Sequence, residues 1–151
     1  MITRSLLRKA QVIACELDWV ATYEDGLAAV LTDAYDACLV DYRLGARSGL
    51  DLLREANARG CRTPIILLTG QGDLKVDLEA MEAGAADYLN KNEIDAPLLE
   101  RTLRYARERK EAEARIRKQA ALLDKARDAI IAHDMEGRVI YWNKSAERLT
   151  G

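Results

Sequence analysis

Apolar positions along the chain follow two patterns, three- and four-residue steps and short unbroken runs, and the two alternate. Ile2, Leu6, Ala10 and Ile13 recur at helical spacing with Arg4, Arg8 and Lys9 between them, which predicts an amphipathic helix. Trp19 to Tyr23 reads as a short strand, and Asp25 to Asp33 returns to helical composition. Ala37 to Val40, bounded by Asp36 and Asp41, is too short for a helix and reads as a buried strand. Ser48 and Asp51 form a capping box ahead of Leu50, Leu53 and Ala56, and Gly60 stops that helix. Pro64 to Thr69 is apolar on both faces, as a parallel strand covered by two helix layers must be. Leu74 to Ala83 is helical and ends at Gly84, and Asp87 to Leu89 is a strand. Asp95 caps a further helix with Pro97 in its first turn.

This alternation predicts an α/β fold, a flavodoxin-like doubly wound parallel sheet with helices on both faces. A helix opens the sequence with no strand before it, whereas a right-handed crossover unit begins and ends on strands. The sheet is therefore expected to lack its first strand, with Met1 lying inside the natural domain.

From Leu98 the pattern becomes one long polar helix. Leu99, Leu103, Ala106, Ile116, Ala120, Leu123 and Ile130 recur at alternating steps, with no Gly or Pro from Leu98 to Asp128, although charges fill the slots at 109, 110 and 113. A weak dimeric coiled coil of about four heptads is the expectation, and a lone charged helix against solvent is the alternative. Two apolar runs then flank Met135 to Arg138, a hairpin signal, and Ser145 is expected to cap a helix after it. The expected domains are 1–97, 98–127 and 128–151.

Composition narrows the function classes. The chain has 151 residues, 49% apolar and 32% charged, with no Phe and two Trp, so its core is aliphatic. No run of 18 apolar residues occurs and no signal-peptide pattern opens the chain, so a cytoplasmic protein without a membrane segment is expected. Cys15, Cys38 and Cys61 match neither a disulfide framework nor a metal motif and read as reduced, buried thiols. One histidine, His133, removes His-rich metal sites and most Ser-His-Asp schemes. Net charge is −2, yet Leu98 to Arg127 carries ten Lys/Arg against five Asp/Glu. The acids are interspersed and no helix-turn-helix adjoins them, so no nucleic-acid partner is expected. Trp19 and Trp142 read as packing residues.

In an open α/β sheet, chemistry gathers at the carboxyl ends of the strands. Those ends carry Asp41, Thr69 and, just past the last strand, Lys91. A carboxylate, a hydroxyl and an ammonium on one rim suit an anionic group such as phosphoryl, the first as nucleophile and the others as neutralisers. Singly, each has a plainer role: a loop cap, a satisfied backbone group, a surface charge. A nucleotide site needs a Gly-rich first turn, which Gly70 and Gly72 do not supply.

Four ordered blocks, ACLVDYRLG from Ala37, SGLDLL from Ser48, TPIILLTG from Thr63 and GAADYLNK from Gly84, resemble the receiver domain of two-component response regulators. The resemblance implies Asp41 as phosphoacceptor, Thr69 and Lys91 as phosphoryl-binding residues and Tyr88 as a switch aromatic. It also implies Mg²⁺ held by Asp41 and the backbone carbonyl of Arg43. The family's acidic pair for that ion belongs to the absent first strand, so a weak Mg²⁺ site is expected. Asn92 stands where the family usually has proline, and Gly45 where proline is common, which is expected only to loosen that loop. Asp128 to Gly151 resembles the opening of a PAS sensory domain.

The implied function is phosphorelay signalling. Asp41 would accept phosphoryl from a histidine kinase or histidine phosphotransfer protein, and a helical linker would relay the change to a PAS-containing sensor or kinase. The chain holds no complete catalytic domain of its own. Homodimerisation through the linker helix is expected, and the alternative is a non-phosphorylated interaction module.

Overall fold

The computed structural model describes residues 16–70 and 74–150. The helix expected over 2–14, and Cys15, lie outside the described residues. The chain divides into two compact units, Met1–Lys110 and Glu111–Gly151.

In the first unit, helix α1 (Tyr23–Leu31) is followed by strand β1 (Cys38–Asp41) and a small hairpin, β2 (Arg43–Leu44) with β3 (Arg47–Ser48). Then come α2 (Gly49–Ala58), β4 (Ile65–Thr69), α3 (Leu74–Glu82), β5 (Asp87–Asn90) and α4, which spans Ala96–Asp124. Strands β1, β4 and β5 pair in parallel in that order, the latter half of the flavodoxin-like 2-1-3-4-5 arrangement. All five residues of β4 are buried, and its alternation feeds two cores. Ile65 and Leu67 pack with Leu27 and Val30 of α1, Leu53 and Ala56 of α2, and Val76 and Ala80 of α3. Ile66 and Leu68 pack with Leu89, Leu99 and Ala106, so α4 covers the other face. Burial of one such aliphatic side chain contributes about 1.5–3 kcal/mol, so the central strand is the main anchor of the layers.

The local signals act as read. Ser48 Oγ accepts from the Asp51 N–H at 3.1 Å, and Asp51 Oδ2 accepts from the Ser48 N–H at 3.0 Å. The backbone bond from Ser48 holds the Asp51 carboxyl below its ordinary range. Asp95 Oδ1 accepts from the Leu98 N–H at 2.8 Å.

Four expectations are corrected. Residues 16–21 form no strand, and Tyr23 opens α1 instead. In the 2-1-3-4-5 order, the second strand pairs only with the first. No such strand occurs among the described residues, so the segment has no partner strand among them. Trp19, within it, is 61% exposed rather than packed. Gly45 does not loosen its loop: at φ +69° it makes the left-handed turn between β2 and β3, a conformation costly for other L-residues. Leu99 and Ala106, read as part of a coiled-coil seam, are buried against the sheet of their own unit.

Cys38 and Cys61 are free and only half-buried. Burial, and then the neighbouring Cys61, push the Cys38 thiol up to about 11, so it stays protonated through neutral pH. Lys110 closes the unit, its ammonium on the Asp33 carboxylate at 2.9 Å and the Tyr35 carbonyl at 2.7 Å.

In the second unit, β6 (Ile131–His133) and β7 (Val139–Trp142) form the expected antiparallel hairpin, followed by α5 (Lys144–Thr150). Asp134 organises its turn, accepting the Glu136 and Arg138 N–H groups and the Arg138 guanidinium. The Arg138 N–H bond is the main reason its carboxyl lies below the ordinary range. Ser145 does not cap α5. Asn143 does, its Oδ1 accepting from the Ala146 N–H at 3.0 Å. Ser145 lies inside the helix and donates its hydroxyl to the Ala126 carbonyl at 2.7 Å. Trp142 is 45% exposed, since a two-stranded sheet leaves side chains uncovered where no layer packs on them.

Candidate functional site

Register sets the site. Asp41 is the last residue of β1 and lies opposite Leu68 of β4, while Thr69, one residue on, lies opposite Asn90 of β5. The Lys91 N–H donates to the Thr69 carbonyl at 2.9 Å, which places Lys91 directly after β5 on the same rim. The Lys91 ammonium donates to Asp41 Oδ2 at 2.5 Å, across 50 residues of sequence. Asp41 Oδ1 accepts from the Arg43 N–H at 3.1 Å. Two of the three rim residues expected from sequence are thus in direct contact.

The pair is open to solvent, with 40% of the Asp41 side chain and 38% of Lys91 exposed. An exposed ion pair contributes only about 0–1 kcal/mol to stability, so this one does little to hold the fold. What it provides is a carboxylate at a strand end with a cation beside it, both reachable from solvent.

Thr69 is arranged differently. Strand alternation turns it away from the face of Asp41's partner Leu68, and it is 2% exposed. Its hydroxyl donates to Asp77 Oδ1 of α3 at 3.2 Å. Tyr88 is 37% exposed and lines a groove of about 580 Å³ with Asp77, Asn90, Arg101 and Tyr105. The turn beyond Lys91 is closed by Asn90, whose Oδ1 accepts from the Asn92 N–H at 3.0 Å.

Two positions escaped the sequence reading. Gly49 donates its N–H to the Tyr42 carbonyl at 2.7 Å and leaves no room for a Cβ against the Asp41 carbonyl. Its signal was a glycine directly after the Ser48 cap, eight residues past Asp41. Asp77 gave no signal, since nothing in the spacing from Thr69 marks it.

For a divalent cation the donor set is short. Among the described residues no three His, Cys, Asp or Glu side chains cluster. Mg²⁺ takes six oxygens in near-octahedral order and keeps several of them as water, so Asp41 with the Arg43 carbonyl, two protein donors, would hold the ion only weakly. Also among the described residues, no helix is long and apolar enough to cross a membrane.

Comparison with known proteins is consistent along the chain. The family model for the response regulator receiver domain matches residues 1–103, and that for the PAS domain matches 117–151. The transcriptional regulatory protein FixJ of Azorhizobium caulinodans is 38% identical over 98 residues, covering 62% of this chain and 46% of the relative. Nodulation protein W of Bradyrhizobium diazoefficiens is 32% identical over 112 residues, 74% of this chain and 49% of the relative. The chain therefore spans about half the length of these curated relatives. The crystal structure of a response regulator receiver domain protein from Clostridium thermocellum superposes with TM-score 0.64 at 28% identity. That match covers 73% of this chain and 86% of the other.

Proposed function

This chain belongs to the response regulator receiver domain family, and from that premise we propose that it is the phosphoryl-accepting module of a two-component relay, with Asp41 as acceptor. Domains of this family are phosphorylated by histidine kinases or phosphotransfer proteins and typically bind Mg²⁺ in doing so. The observation that supports the reading here is the contact of Asp41 with Lys91 at an exposed strand end.

The carboxylate attacks phosphorus of a phosphohistidine donor. A P–O bond forms to Asp41, the P–N bond breaks, and the histidine nitrogen keeps the electron pair and takes a proton from solvent. Lys91 passes from the carboxylate to a phosphoryl oxygen as charge leaves Asp41, so its ammonium neutralises the product without leaving the rim. Thr69 donates to a second phosphoryl oxygen, and Tyr88 moves with it. No step is assigned to Mg²⁺, whose weak site would use Asp41 and the Arg43 carbonyl. The change passes along α4 towards the PAS segment.

Labelling with acetyl phosphate tests the acceptor. Wild type is expected to carry one acid-stable, base-labile phosphoryl group and Asp41→Asn none; equal labelling of the two would remove Asp41 from the role. The short donor set for Mg²⁺ favours a second reading, a phosphoryl-free interaction module, which predicts no labelling of either protein with or without Mg²⁺.

Ile116 and Leu123 of α4 lie seven residues apart, both exposed, with Ala120 between them. A second copy of this chain pairing along that stripe would form a short coiled-coil seam. Ile116→Asp is expected to shift sedimentation to the monomer, and an identical sedimentation coefficient for both proteins would exclude this seam.

A further inference from the structure

We infer that Asp77 is a positioning residue that holds Thr69 in the unphosphorylated arrangement. The inference rests on the acceptor role proposed for Asp41. Its basis is the bond from Thr69 Oγ1 to Asp77 Oδ1 at 3.2 Å, which gives the rim hydroxyl a fixed partner on α3 rather than at Asp41. Thr69 is buried, so its hydroxyl cannot turn to water, and leaving Asp77 requires another acceptor. A phosphoryl oxygen on Asp41 would be that acceptor. The two arrangements therefore compete for one donor: Asp77 holds it before transfer and the phosphoryl group holds it after.

Asp77 also carries the competition outwards. It lines the same groove as Tyr88, so the loss of its Thr69 partner leaves a carboxylate with a free oxygen on that surface. A hydrogen bond to a charged acceptor is stronger than a neutral one, and breaking it subtracts from the gain of every phosphoryl transfer.

Removing the acceptor is expected to speed phosphorylation. Asp77→Ala should be labelled by acetyl phosphate about three- to tenfold faster than wild type. Asp77→Asn keeps a neutral, weaker acceptor oxygen in the same place and should fall between wild type and Asp77→Ala if the hydrogen bond is the device. An Asn variant as fast as Ala would assign the effect to charge and overturn the latch. In a Thr69→Val background, Asp77→Ala should change nothing, because no hydroxyl remains to be released.

A second readout needs no phosphoryl donor. Three-bond couplings to the Thr69 methyl carbon should report one χ1 rotamer in wild type and an averaged one in Asp77→Ala. Wild type labelled on Asp41, with the Ala variant equal in rate and coupling, overturns the latch alone. Failure of wild type to be labelled overturns the acceptor role and the latch with it, since the hydroxyl would then have no second acceptor to reach.

Discussion

Gly49→Ala should destabilise the first unit by about 2–3 kcal/mol and disable the rim at the same time. The residue opens α2 directly after its Ser48 cap, and its backbone crosses the end of β1 at close range. A Cβ would run into the Asp41 carbonyl oxygen and come within 2.9 Å of Leu67 Cδ1. The leucine could move, but the carbonyl is part of the backbone that carries the Asp41 side chain. The chain must shift at Asp41 or α2 must draw back from β1, and either move strains the Gly49 bond to Tyr42. A displacement of about 1 Å at a reacting group costs on the order of a hundredfold in rate, so labelling of Asp41 should fall much further than stability. Urea denaturation and acetyl-phosphate labelling of the same variant check both parts. A variant with the wild-type midpoint and rate would show that no close approach limits this position.

Asn143→Ala is expected to cost the second unit about 3–5 kcal/mol, enough to unfold a hairpin and a two-turn helix. Asn143 is fully buried and uses all four of its hydrogen-bonding positions. Its amide donates to the Leu123 and Asp128 carbonyls, and its oxygen accepts from the Ile130 and Ala146 N–H groups, each at 3.0 Å. One side chain thus ties the end of α4, the segment leading into β6 and the start of α5. Alanine strands the Asp128 carbonyl and the Ile130 and Ala146 N–H groups, leaves the Leu123 carbonyl only its bond from the Ala126 N–H, and removes the helix cap as well. Amide exchange at Ile130 and Ala146 should accelerate by about a hundredfold or more if the unit opens. Protection equal to wild type at both amides would show that the network contributes little. Asn143→Asp keeps the two acceptor bonds but sets a charge against two carbonyls, so it should rescue little.

Both positions mark where reading the sequence stops. Ile65 to Thr69 announced a central strand because five apolar or small residues in a row, ended by Gly70, can be satisfied only by burial on both faces. Ser48 and Asp51 announced a helix start because the capping box is closed within four residues. The rim pair was legible too, since strand ends in a parallel sheet fall on one edge and carry whatever follows each apolar run. The partner of the Thr69 hydroxyl was not, because either Asp41 or a helix carboxylate could accept it. Ser145 and Asn143 are both good caps two residues apart, and local chemistry does not choose between them. The choice came from the Leu123 and Asp128 carbonyls, which accept the Asn143 amide, and from the Ala126 carbonyl, which takes the Ser145 hydroxyl.

The sequence alone determined the alternation of elements from Ala37 to Asp95 apart from the β2–β3 hairpin, the two-sided burial of β4 and the identity of the residues at the strand ends, since each depends on neighbours within a few positions and on the periodicity of a helix or a strand. Tertiary structure alone decided that residues 16–21 stay outside the sheet, that Thr69 faces Asp77 and that nothing larger than glycine fits at 49. Those outcomes depend on which distant backbone or side chain comes within about 3 Å, a distance set by the packing of layers and written in no local stretch of the chain.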